Sequence, residues 1–327
     1  MSGRSVMVVV AVAATAVIGM PSATAATNTS WSEKFGAAGA SNSVQTVAVS
    51  GANTYIGMGL ATTFGGVNYN HIAKWDGKGW RTLGTGVNGT VYSIAVLGAD
   101  VFVAGDFTMA GGQPANHVAM WNGTAWSPLA GGITNSDNSA AYAYAVVATG
   151  TASSPQVYVG GTFDTAGGQP ATNVAEWDGT SLQALGSGLT GVKVTALVAS
   201  GSTVYAGGTF NASGTTPLFS LAQWNGTAWL GVGGSGVASS FGFAGAVTAL
   251  AVSGTNLYIS GSFDKVGGTV ATINGTMSGG VNAHNAAVWN GTGWFPLGPG
   301  LAHGALGLTY VSGKLYAFGS FASSGAT

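Results

Sequence analysis

The sequence predicts an all-β fold, a six-bladed β-propeller with four-stranded antiparallel blades. Three observations carry that expectation. First, a marker Ala-x-Trp-Asp/Asn-Gly recurs at Ala73–Gly77, Ala119–Gly123, Ala175–Gly179, Ala222–Gly226 and Ala287–Gly291, with successive tryptophans 46, 56, 47 and 65 residues apart. A recurring period in this range marks propellers, solenoids and arrays. Second, the chain between markers consists of short apolar runs rich in β-branched and aromatic residues and bounded by Gly or Asn. That is a strand pattern with no room for helices. Third, one copy of the repeat is split between the two ends of the chain, which favours a closed ring over an open stack.

The elements follow in order. Residues 1–25 read as a secretory signal: Arg4 supplies the positive charge, Val6–Met20 the apolar stretch and Ala23-Thr24-Ala25 the cleavage site. The apolar stretch is short of the ~20 residues a membrane helix needs. The remaining chain, 26–327, is expected as a single, secreted, monomeric propeller domain with no membrane span. It opens on an orphan strand d, Trp31–Gly36. Strand a recurs at Val44–Val49, Val91–Val96, Tyr142–Ala148, Val192–Ala199, Val247–Val252 and Leu306–Val311. Strand b follows each, ending in Gly-x-Phe at Phe107, Phe163, Phe210, Phe263 and Phe321. Strand c carries the marker, and strand d starts at Trp80, Trp126, Leu182, Trp229 and Trp294.

The links have their own chemistry. Ser200-Gly201-Ser202 and Ser253-Gly254-Thr255 close tight a–b hairpins. Asp76-Gly77, Asn122-Gly123, Asp178-Gly179, Asn225-Gly226 and Asn290-Gly291 are expected as two-residue type I′ turns between c and d. Pairing the N-terminal strand with the C-terminal a–b pair closes the ring and removes both sheet edges. The sequence stops at Thr327, before a strand c; either the last blade has three strands or the chain continues.

The order Val-x-Ala-Leu-Ala-Val, Gly-x-x-Leu-Tyr-x-x-Gly, x-Val-Ala-x-Trp-Asn-Gly, x-Trp-x-x-Leu-Gly resembles kelch-type, galactose-oxidase-like blades. It is closer still to repeats of secreted bacterial propellers and of the fungal cortical marker family for cell polarity. In those, Gly-Gly-x-Phe-x-x-Ala-Gly-Gly is frequent, and it stands here at Gly160–Gly168. The resemblance spans Trp31 to Phe321. It implies a binding or surface module and names no reaction, because fold alone does not fix function. The copper-radical cofactor of galactose oxidase needs a cysteine crosslinked to tyrosine. This chain has no cysteine, which excludes that chemistry and leaves a secreted protein without disulfides.

Composition narrows the partners. Charged residues are 5% of the chain, the net charge is −1, and the only arginines are Arg4 and Arg81. Nucleic acid requires clustered positive charge and is excluded. A protein or glycan ligand suits the Ser-, Thr-, Asn- and Gly-rich surface.

Individual side chains admit plain readings beside functional ones. His71 and His117 share a repeat position with Asn173, Ser220 and Asn285. A polar strand start that satisfies backbone groups explains them better than a metal pair. Asp164 and Asp264 follow the strand-b phenylalanine and suit a local Asx-turn cap; an acid–base carboxylate pair is the alternative. The repeated tryptophans read as core, not as sugar platforms.

The longest connections are Ala130–Ala141 and Gly233–Ala246 (d–a) and Asp264–His284 (b–c), all on one face; Thr149–Pro155 lies on the other. Loop length biased to one face marks a binding face. The candidate ligand-binding residues are therefore Asn135, Asp137, Asn138, Phe241, Phe243, Asp264, Asn274, Asn282, His284 and His303. No catalytic residue, cofactor or transition-metal site is assigned. A Ca²⁺ site built from backbone carbonyls and Asp137 or Asp264 is the one cofactor reading left open. The expected function is a secreted, non-catalytic binding or scaffold propeller; the alternative is a carbohydrate-active enzyme, hydrolase or lyase, on the same face.

Overall fold

A computed structural model describes residues 43–64 and 67–319. Among them there is no helix; every regular element is a strand, and the sheets are antiparallel. Five sheets have the order a-b-c-d from edge to edge. The first is Val44–Ser50, Asn53–Met58, Ile72–Trp75 and Trp80–Arg81. The second is Val91–Leu97, Asp100–Gly105, Val118–Trp121 and Trp126–Pro128. The third is Tyr142–Thr151, Ser154–Thr162, Val174–Trp177 and Leu182–Ala184. The fourth is Thr190–Ser200, Thr203–Ser213, Leu221–Trp224 and Trp229–Leu230, with Thr216–Pro217 added beside its strand b. The fifth is Ala246–Ser253, Asn256–Ser262, Ala286–Trp289 and Trp294–Pro296. A sixth, two-stranded sheet pairs Gly307–Val311 with Lys314–Phe318. The signal segment, Trp31–Phe35 and Phe321 lie outside the described residues.

The strands a of successive blades pack side by side and together form one edge of the sheets, termed the inner edge. The hydrophobic clusters lie between blades. One joins Val101, Val103 and Phe107 of the second blade to Tyr55 and Ile72 of the first; another joins Val194, Val204 and Phe210 of the fourth to Tyr158 and Val174 of the third. Small residues on strand b make the seams close. A Cβ on Gly57, Gly160 or Gly207 would stand 2.6, 2.6 or 2.5 Å from the Cγ1 of Val91, Val194 or Val247 in the next blade, closer than van der Waals contact allows.

The tryptophans bind blade to blade. Trp126, Trp229 and Trp294 are buried. Their Nε1 atoms donate to the carbonyls of Leu83 (2.6 Å), Leu185 (3.1 Å) and Val232 (2.9 Å), on the preceding blade's d–a link. Each faces its cross-strand partner on strand c, Trp121, Trp224 or Trp289, at a centroid distance of 5.6 Å. In the third blade Leu182 stands in the strand-d position, and Trp177 packs on Phe102 of the second blade at 5.8 Å.

Two local expectations need correction. The c–d turns are four-residue loops, not two-residue type I′ turns: Trp121 pairs directly with Trp126, and of Asn122 and Gly123 only the glycine has positive φ (95°). The reason is the side chain. Asn122 Oδ1 accepts the N–H groups of Thr124 (3.0 Å) and Ala125 (2.9 Å), capping two amides at once. Asp76, Asp178, Asn225 and Asn290 do the same. The second correction concerns Thr149–Pro155. It is no loop insertion; the a–b ladder simply runs on to the pair Thr151–Ser154.

Candidate functional site: the face of d–a and b–c connections

The d–a and b–c connections lie on one face because they pair with each other. Ile133–Thr134, on the link into the third blade, forms a ladder with Thr165–Ala166 of that blade's b–c hairpin. Val237–Ala238 does so with Lys265–Val266 in the fifth blade, and Val87 bridges to Ala110 in the second. The fifth blade extends this shelf with two further ladders, Lys265–Val266 on Val281–Asn282 and Thr269–Val270 on Met277–Ser278.

One residue per blade holds shelf to sheet. His71, His117, Asn173, Ser220 and Asn285 all adopt left-handed φ, between 60° and 75°. The His117 N–H donates to Phe107 O (2.8 Å) and its carbonyl accepts from Gly105 N (3.0 Å). Asn173 Oδ1 accepts Phe163 N (3.3 Å) while Nδ2 donates to Leu189 O (2.9 Å). Asn285 repeats this with Phe263 N and Leu301 O, both at 3.0 Å, and Ser220 Oγ donates to Gly245 O (2.7 Å). The Nδ1 atoms of His71 and His117 are buried without a hydrogen-bond partner. Burial pushes the His117 pKa below its ordinary value.

Asp164 and Asp264 clamp neighbouring loops, where a local Asx turn was expected. Asp164 accepts from Ser136 N (2.7 Å), Ser136 Oγ (2.5 Å) and Thr165 Oγ1 (2.8 Å). The Ser136 hydroxyl, with Thr165, holds its carboxyl below the usual range. Asp264 Oδ2 accepts Ser240 N (2.8 Å). Sequence alone does not give this, since Ser136 and Ser240 come from the preceding d–a loops.

The candidate residues fall into two groups. Around the third blade, Asn135, Asp137 and Asn138 are spent on their own loop. Asn135 Nδ2 donates to Ser139 Oγ and Ala140 O, Asp137 Oδ1 accepts Ser139 N, and Asn138 takes positive φ. Contacts from Ser139 also lower the Asp137 pKa. Around the fifth blade, Asp264 Oδ1 lies 3.5 Å from His284 Nδ1. Phe241 and Phe243 project from the adjoining loop, 82% and 60% exposed. That loop is fixed by Ser239 N to Phe243 O (2.8 Å) and Met277 N to Gly242 O (2.7 Å). Asn282 is exposed opposite Lys265. Asn274 sits exposed between Val270 and Met277, and His303 is exposed on the link into the sixth sheet. Among the described residues no group of three or more His, Asp or Glu converges to hold a metal ion.

Two features escaped the sequence reading. A groove of about 290 Å³ opens between the first two blades, lined by Asn70, His71, Thr85, Asn88 and Met109 among others; there the d–a link is tied to the b–c hairpin by the bridge at Val87 and by Asn88 Oδ1, which accepts Thr108 N (2.9 Å) and Met109 N (2.8 Å). At the inner edge Tyr92, Tyr142, Tyr144 and Lys193 converge. The available signal was that Thr195 and Thr248 occupy the repeat position of Tyr92 and Tyr144.

No family model and no curated protein matches the sequence. Among solved structures the chain is similar to the computationally designed Ika8 protein, at 14% identity and a TM-score of 0.50 over 84% of this chain and 67% of that one. It is also similar to the extracellular domain of a putative one component system from B. thetaiotaomicron, at 11% identity and a TM-score of 0.50 over 85% of this chain. The match covers 32% of that protein's chain. At such identities the likeness bears on the fold alone. No helix among the described residues is long and apolar enough to cross a membrane.

Proposed function

We propose that this chain is a secreted, non-catalytic binding propeller whose loop face contacts a protein or glycan ligand. The observation that carries the reading is the Phe241–Phe243 pair, left exposed on a loop that is itself hydrogen-bonded to a two-ladder shelf. Large apolar side chains held out from a rigid base are how binding surfaces present anchors. Asp164 and Asp264 are occupied in holding loops together, which favours binding over acid–base work. The N-terminal signal pattern supports secretion. The repeat motifs support a kelch-type assignment. In this reading six blades close into a ring, with Trp31–Phe35 beside Lys314–Phe318, whose outer edge has no strand partner among the described residues.

The test screens the mature protein against a glycan array and against extracellular proteins by surface capture. Alanine at Phe241 and Phe243 together should weaken binding about tenfold, equal to ~1.4 kcal/mol, with unchanged melting. Binding that survives the double variant overturns the reading. The Asp264–His284 contact is the one observation that favours a carbohydrate-active enzyme on the same face. Glycan turnover abolished by Asp264→Asn and by His284→Ala would establish it.

A further inference from the structure

The inner edge holds a cluster that the loop face does not use. The first five strands a slip register at one repeated place: between Val44 and Thr46, Val91 and Ser93, Ala143 and Ala145, Val194 and Ala196, and Val247 and Ala249. The residue at each slip is Gln45, Tyr92, Tyr144, Thr195 or Thr248. A bulge takes one residue out of the ladder and re-aims its side chain. The fourth and fifth blades use it to tie the seam: Thr195 Oγ1 donates to Val247 O (2.9 Å) on the next strand a, and Thr248 Oγ1 to Ala305 O (2.6 Å) on the link just before the next one.

The second and third blades give up that tie for aromatic rings. Tyr92 and Tyr144 meet at 5.5 Å and 42°. Tyr142 stacks on Tyr144 at 5.8 Å and 16°. From the fourth blade Lys193 Nζ stands 5.3 Å from the Tyr144 centroid. The Tyr92 hydroxyl donates to Asp106 Oδ2 at 3.2 Å, which sets the angle of that ring. The three tyrosines and the lysine are half-buried, and Val192 beside them is 62% exposed. A purely structural role would be met by threonine, as the same bulge shows two blades further on.

We propose that this cluster is a carbohydrate-binding site that takes a neutral pyranose unit of an oligosaccharide. Such a ring presents one apolar C–H face, which fits a tyrosine plane, and a rim of hydroxyls, which fit phenol oxygens and an ammonium donor. Few apolar rings flanked by well-placed polar groups are the usual composition of a small-ligand site. A cationic ligand fits worse, because the Lys193 ammonium beside the Tyr144 ring repels it. A polyanion finds one lysine here and a net charge of −1 on the chain. Tyr92, Tyr142, Tyr144 and Lys193 contact the sugar; Asp106 is a positioning residue, acting through Tyr92. The site is built from the second, third and fourth blades, whereas Phe241 and Phe243 lie on the link into the fifth, so it does not depend on the loop-face reading.

The test is calorimetric titration of the mature protein with cellohexaose, chitohexaose, xylohexaose and mannohexaose. At least one should bind. Tyr144→Thr and Tyr92→Thr should each weaken that binding about tenfold or more and leave melting unchanged, since threonine is native to this bulge in two blades. Lys193→Gln, on a different strand, should also weaken it, so the proposal stays testable if a tyrosine variant folds poorly. Asp106→Ala should weaken binding and Asp106→Asn restore it, because asparagine keeps an acceptor for the Tyr92 hydroxyl. Phe241→Ala with Phe243→Ala should leave sugar binding intact, which separates this site from the loop face. Failure of all four sugars to bind, or binding that survives the Tyr92→Thr, Tyr144→Thr double variant and Lys193→Gln, overturns the proposal.

Discussion

A left-handed residue opens strand c in each of the five full blades, and its side chain decides how well shelf and sheet are joined. Asparagine suits the place: it tolerates positive φ better than most residues, and its amide offers both an acceptor and a donor. Asn173 and Asn285 use both. His117 holds the same backbone position but buries Nδ1 unpaired. His117→Asn should therefore stabilise the fold by about 1 kcal/mol, giving Ile133 O the donor that Leu189 O and Leu301 O already have. Acid should expose the same defect. Burial lowers the folded pKa of His117, whereas an unfolded histidine titrates near ~6.5. Below that pH the unfolded chain binds a proton that the folded chain refuses. Stability is thus full above about pH 6.5 and falls as pH drops through it. Urea melts at pH 8, 6 and 5 should show the variant more stable at pH 8 and less acid-sensitive. A variant with no gain at pH 8 and the same acid slope would show that the buried nitrogen costs nothing.

At the scale of elements, the seams carry the energy. Trp177 is 9% exposed and packs on Phe102 of the neighbouring blade, in the one blade where strand d has no indole. Trp177→Ala should cost ~3–5 kcal/mol, as large-to-small core changes do, read as a lower urea midpoint with ligand binding intact at low denaturant. Normal melting with lost binding would make the ring a ligand platform instead. The tryptophans and strands were legible because each repeats at a fixed place with a period-2 pattern around it. The c–d turns were misread because Asn-Gly serves two geometries. A type I′ turn needs positive φ at both residues, while a four-residue loop needs only the Asx oxygen and the glycine. The pairing of Ile133–Thr134 and Val237–Ala238 onto the b–c hairpins was illegible for a different reason: two-residue strands have no periodicity to detect. Of the candidate site, loop length pointed to the connections that pair into the shelf and to the loop that carries Phe241 and Phe243. It could not separate residues that hold loops, such as Asn135 and Asp137, from residues free to meet a ligand. The Tyr92–Tyr144 cluster was hidden because strands a were aligned for what they share.

For the whole molecule, clusters that span neighbouring blades make stability a sum over seams, and such arrays are weakest where the last unit lacks a neighbour. The two-stranded sheet of Gly307–Val311 and Lys314–Phe318 has one described seam, through Ala249, Ala251, Ala305 and Leu308. Val311 and Tyr316 on it are 53% and 45% exposed. An uncovered strand edge with apolar side chains beside it invites pairing with another chain. A closed ring removes that hazard, and the strand proposed to complete it is Trp31–Phe35, the strand-d motif that lies outside the described residues. Deleting residues 26–40 should then do two things together. The melting temperature should fall by several degrees, since each ~1 kcal/mol lost moves the midpoint of a domain this size by about 1.5–2 °C and a seam is worth several. Light scattering behind size exclusion should show oligomers or aggregates larger than any species formed by residues 26–327 intact. A deletion variant that forms no larger species and melts where the parent does would mean that the blades stand as an open array, and that Trp31–Phe35 belongs to no seam.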